Sequence, residues 1–99
     1  MWAQIIKSRL KAGADEEFRR VNEDIGALAV QRSGWVRSLV LRDQNDPQQI
    51  YSVVVFESEE KARATEQTPE TQEIVARVRA VMDGMPEYVD CEVVSDQSP

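Results

Sequence analysis

Ninety-nine residues, 41% of them hydrophobic and 30% charged, describe one globular domain able to bury a modest core, and the single cysteine, Cys91, excludes an internal disulfide. A formal net charge of −6, with Lys61, Arg63, Arg77 and Arg79 set among carboxylates, excludes the basic face that nucleic-acid binding needs. The absence of histidine removes the commonest general base near neutral pH, the commonest haem ligand and the usual first-row metal ligand together.

Met1 leads into Trp2 without a basic n-region, a long apolar run or a cleavage site, so the expectation is a cytoplasmic chain with neither signal peptide nor membrane span. Residues Trp2 to Leu10 alternate as a strand, with Ala3, Ile5, Lys7 and Arg9 on one face and Trp2, Gln4, Ile6, Ser8 and Leu10 on the other. A helix is predicted from Asp15 to Arg32: Asp15 reads as its N-cap, Glu16 and Glu17 suit the positive first turn, and Ser33-Gly34 is the stop. Phe18, Val21, Ile25, Leu28 and Ala29 form its apolar stripe, and Gly26 suggests a close approach of this helix to a sheet.

Two strands follow, joined at Asn45-Asp46-Pro47. In the second of them Tyr51, Val53 and Val55 oppose Ile50, Ser52, Val54 and Phe56, so both faces are apolar. Ser58-Glu59-Glu60 opens another helical region, which Thr68-Pro69-Glu70 breaks in two by supplying a fresh N-cap with proline at the first helical position. Its second half carries Ile74, Val75, Val78, Val81, Met82 and Met85, the methionines reading as core filler, until Asp83-Gly84 and Pro86 end it. A last strand is expected from Glu87 to Val94, with Cys91 as a small core residue and Asp90 and Glu92 on a solvent-facing edge. The domain occupies residues 1–95, and 96–99 form a polar tail.

The order is β-α-β-β-α-β. Helices of that number cover one face of a four-stranded sheet, and a face of about 450 Å² remains. Its burial is worth on the order of 10 kcal/mol before association costs, which makes a face-to-face homodimer the economical cover.

The chain resembles the antibiotic-biosynthesis-monooxygenase-like domains of the dimeric α+β barrel superfamily. The resemblance runs from Trp2 to Val94, carried by Arg9-Leu10-Lys11-Ala12-Gly13, Glu16-Glu17-Phe18, Ser33-Gly34, Arg42-Asp43, Asn45-Asp46-Pro47, Phe56-Glu57-Ser58-Glu59-Glu60 and Thr68-Pro69-Glu70 in that order. It implies an α+β, ferredoxin-like monomer with an antiparallel four-stranded sheet, helices on one face, and a small apolar pocket between sheet and helices. Ser8 and Phe56 would look into that pocket by resemblance to pocket-lining positions of the family, and strand parity adds Gln4, Ile6, Ser52 and Val54. Replacement of Phe56 by Trp is then expected to be tolerated, whereas Val53 and Val55, given to the face under the helices, should not accept it.

The departures from the family set the functional expectation. Members that degrade haem resemble one another in a histidine on the second helix, an asparagine at the Ser8 position and a tryptophan at the Phe56 position; this chain has none of the three, so no haem is expected. Members that oxidise polyketide anthrones use no cofactor, because the deprotonated substrate itself reduces oxygen. The reading is therefore a dimeric protein that binds a small hydrophobic or aromatic molecule, with no cofactor, no metal, no nucleic acid, no membrane partner and no catalytic residue assigned. The alternative is a cofactor-independent, quinone-forming monooxygenase acting on an aromatic or polyketide-like substrate. Titratable groups that could face inward are Tyr88, Asp90, Glu92 and Arg37, and alternation alone leaves their direction open.

Overall fold

A computed structural model describes residues 1–99. The elements are β1 (Trp2–Arg9), α1 (Asp15–Ala29), β2 (Trp35–Asp43), β3 (Asp46–Phe56), α2 (Glu59–Glu66), α3 (Pro69–Val81) and β4 (Glu87–Glu92). The strands form one antiparallel sheet in the order β2-β3-β1-β4, the split β-α-β arrangement of a ferredoxin-like fold. No helix is long and apolar enough to cross a membrane.

Local chemistry explains most boundaries. Ser58 caps α2 by accepting from the Lys61 amide at 3.2 Å. Thr68 does the same for Thr71 at 3.3 Å with Pro69 opening α3, so the second helical region is divided where its sequence says. At α1 the cap differs from expectation. Ala14, which has no capping oxygen, takes that position, and Asp15 is the first helical residue, its carboxylate accepting from Arg42 of β2 at 2.7 Å. The helix ends at Ala29, before Arg32, and the chain turns into β2 through Gly34 at φ +84°. A side chain at Gly34 would be strained by that φ and would run into the Lys61 side chain.

Gly26 is not a point of close approach, because a Cβ there meets nothing within 4 Å. Its helical backbone accepts alanine without strain, so Gly26→Ala is expected to raise the unfolding free energy by about 0.5–1 kcal/mol in urea melts.

The β2–β3 connection is tighter than expected. Asp43 pairs with Asp46, which leaves Gln44 and Asn45 as the turn and puts Asp46 and Pro47 into β3. Strand β4 stops at Glu92, short of Val94. After α3, Met82 leaves the helix and bridges Leu10, with Lys11 N–H donating to Val81 O at 2.9 Å and Asp83 N–H to Arg9 O at 2.7 Å. That seam buries Met82 and leaves Met85 beyond it, 85% exposed, so only one of the two methionines fills the core.

The packed core is Leu10, Phe18, Ile50, Val81 and Met82, gathered where β1 leaves the sheet. Register shows which strand faces meet the helices. Gln4 lies opposite Val54 and Asp90, Ile6 opposite Ser52, and Ser8 opposite Ile50, all on the helix side. Val53 and Val55 align with Ile5 and Ala3 on the opposite, open face, so their expected place under the helices is corrected. Cys91 lies opposite Ala3 on that open face and is half-buried, outside the core.

Candidate functional site

The five-residue cluster, with Val21, Ala29, Phe56 and Ala62 buried outside it, does not fill the whole layer between sheet and helices. The remaining space is a cavity of about 930 Å³. Its floor includes Gln4, Ile6 and Ser8 of β1 and Ser52, Val54 and Phe56 of β3; its roof includes Phe18, Asn22 and Ile25 of α1 and Ile74, Val75 and Val78 of α3. The apolar stripes of the helices thus serve as walls as well as core, and Ser8, 8% exposed, is a hydroxyl among hydrocarbon. Apolar walls with a few orienting polar groups are the composition of a small-molecule site.

The polar groups are organised at two places. At the β4 side, Gln4 Nε2 donates to Asp90 Oδ1 at 2.9 Å, and Arg63 Nη2 of α2 donates to Asp90 Oδ2 at 2.8 Å. Arg63 also pairs with Glu59 and Glu66, each at 3.1 Å, and its guanidinium lies 5.2 Å from the centre of the Trp2 ring. The Gln4 hydrogen bond and the Arg63 cation hold the Asp90 carboxyl below its usual range, so this carboxylate is a weak proton acceptor. Asp90 is exposed, as an edge residue should be, yet its face is the one that contributes to the cavity wall, together with Tyr88. Arg37, paired with Val55, belongs to the open face, and Glu92 is not part of the wall.

At the other place, the turn after α1 meets the start of α3. Arg32 Nη2 donates to Thr71 Oγ1 at 3.0 Å, and Thr71 lies 2.7 Å from Thr68 Oγ, which in turn reaches Thr65 O at 3.0 Å. One proton order satisfies all three contacts: Arg32 donates to Thr71, Thr71 to Thr68, and Thr68 to the Thr65 carbonyl. Arg32 Nε is sealed from solvent without an acceptor, and burial pushes the guanidinium pKa down from its ordinary value. It remains a cation at any physiological pH.

Sequence reasoning missed Arg32 and Arg63. Arg32 reads only as the last residue of a helix, and Arg63 as one of several basic residues set among carboxylates. Their roles depend on Thr71, 39 residues away, and Asp90, 27 residues away. No group of three or more His, Cys, Asp or Glu side chains converges to hold a metal ion.

Comparison with known proteins adds a family. The family model described as antibiotic biosynthesis monooxygenase matches residues 1–96. Among solved structures, the cofactor-independent oxygenase SnoaB from Streptomyces nogalater is similar over 96% of this chain and 95% of its own, with a TM-score of 0.81 at 18% identity. A conserved protein from Methanosarcina mazei Go1 aligns over 92% and 91% with a TM-score of 0.83 at 13% identity. A candidate antibiotic biosynthesis monooxygenase from Nitrosomonas europaea aligns over 96% and 100% with a TM-score of 0.84 at 17% identity. At these identities the likeness is one of fold. No curated protein matches the chain closely enough to add to this.

Proposed function

The chain belongs to the antibiotic biosynthesis monooxygenase family, and from that premise we propose that it works as a homodimer whose sheet–helix cavity binds a small hydrophobic or aromatic molecule. The observation that supports this reading most is the cavity itself, about 930 Å³ in a domain of 99 residues, with Gln4, Ile6, Ser8, Ser52, Val54 and Phe56 as floor. So large an apolar cleft between two layers, open in part to water, favours an apolar occupant that displaces that water. The apolar walls select a flat, hydrophobic occupant, and the Ser8 and Ser52 hydroxyls can orient it. Dimerisation is supported by the open sheet face, where Val36, Leu39 and Leu41 are exposed beside Val53 and Val55.

Family membership favours a second reading, cofactor-independent oxygenation of an aromatic substrate. For an anthrone the balance is simple: the ring CH₂ loses both hydrogens, one atom of O₂ becomes the new carbonyl oxygen, and the other leaves as water. The four electrons given up by that carbon reduce the one O₂. The protein's part is to bind the substrate, exclude water and stabilise its enolate. Asp90, engaged by Gln4 and Arg63, is a weak base for the first deprotonation.

Fluorescence titration with 2-naphthol tests binding, and oxygen uptake with anthrone tests turnover. Saturable one-per-protomer binding of 2-naphthol, weakened by Val54→Asp in the cavity floor, is the expected result. Binding that ignores Val54→Asp would place the ligand elsewhere, and oxygen uptake above the protein-free rate would establish the second reading.

A further inference from the structure

We propose that Arg32 anchors a carboxylate of the cavity's ligand, so that the molecule bound is an aromatic acid rather than a neutral hydrocarbon or phenol. The proposal rests on the ligand-binding reading of the same cavity and specifies its chemistry. Arg32 and Arg63 are both half-buried arginines of the cavity wall, and they differ in one respect. Three carboxylates surround Arg63, those of Glu59, Glu66 and Asp90. Arg32 has none within 4 Å, although the chain carries 18 acidic residues and a net charge of −6 that would readily supply one. A lowered guanidinium pKa agrees with a cation partly withdrawn from water and left without a counter-ion.

The surroundings complete an anion site. Of the three guanidinium nitrogens only Nη2 has a protein acceptor, Thr71 Oγ1 at 3.0 Å, while Nε is buried with none. Nε being sealed by protein, the fork open to a ligand is that of the two terminal nitrogens, and a planar carboxylate is the group whose geometry matches it. Thr71 fixes one corner of the fork and is itself held by Thr68, so the cation is oriented before any ligand arrives. The N-terminus of α3, opened by Pro69, lies beside it and favours negative charge. Apolar walls and the arginine therefore line a single cavity.

The test compares 2-naphthoate with its neutral methyl ester, titrated by intrinsic fluorescence against the parent, Arg32→Gln and Arg32→Glu, with Arg79→Gln, an exposed cavity-rim arginine, as control. Thermal melting establishes that each variant is folded. The parent should bind naphthoate at least tenfold more tightly than the ester; Arg32→Gln should abolish that preference with ester affinity unchanged, and Arg79→Gln should keep it. Arg32→Glu should reverse the charge preference, favouring 2-naphthylmethylammonium over naphthoate, a gain that loss of packing cannot produce. Equal binding of acid and ester by the parent, or a preference that survives Arg32→Gln, overturns the anchor while leaving the cavity reading intact. Failure of both acid and ester to bind overturns the two together.

Discussion

Ile50→Ala is expected to lower the unfolding free energy by about 2–5 kcal/mol, the range for truncating a fully buried isoleucine. Ile50 is 1% exposed and packs with Leu10, Phe18, Val81 and Met82 in the largest contiguous part of the core. Backbone from β1, the β1–α1 junction and the end of α3 is tied together there, so the walls cannot collapse into the space left behind. For a domain near 100 residues each kcal/mol moves the melting temperature by roughly 4–8 °C, so the loss should be plain in a thermal scan. Val54→Ala, on the same strand and the same face, is the informative comparison. Val54 borders the cavity, already lacks neighbours on one side, and should cost about 1 kcal/mol. Equal losses at the two positions would mean that core and cavity are not divided as described.

That division marks how far the sequence could be read. Element order, the caps at Ser58 and Thr68-Pro69, and the interruption between α2 and α3 are local chemistry, and local chemistry is visible in a single chain. Strand alternation is equally visible, but it yields two sets of residues and no label for either. The set containing Ser8 and Phe56 takes its place from the family resemblance, while Val53 and Val55 lie on the face opposite to the expected one, because period two is blind to which side the helices take. Asp15 has the right residue type for a cap and was drawn one position inward, where Arg42 engages it from another strand. Met82 and Met85 look alike in the apolar pattern, and only the Leu10–Met82 bridge separates them. The charged groups of the site were the least legible. Arg63 and Asp90 meet from two elements, and Arg32 is distinguished by being half-buried with no carboxylate partner, a property no local window contains.

Replacing Leu39 and Val53 together by lysine is expected to convert a dimer into a folded monomer. The two residues are direct cross-strand partners on the open face, Leu39 on the edge strand β2 and 44% exposed, Val53 on β3 and half-buried. A face of about 450 Å² contributes on the order of 10 kcal/mol per protomer at ~25 cal/mol/Å², enough to exceed the cost of association. In a two-fold interface the same patch meets its own image, so each substitution enters twice and introduces like charges on both sides. Burial of an unpaired ammonium costs several kcal/mol, which corresponds to a rise in dissociation constant on the order of 1,000-fold or more. Sedimentation at micromolar concentration should therefore give twice the 11.3 kDa chain mass for the parent and the chain mass itself for the double variant, with unchanged far-ultraviolet circular dichroism. Val55→Trp belongs to the same test, since on this face it has no helix to strike and should weaken association rather than unfold the protomer. A parent that sediments as a monomer would show that the open face is left to water, and a double variant that remains a dimer would move the contact to another surface.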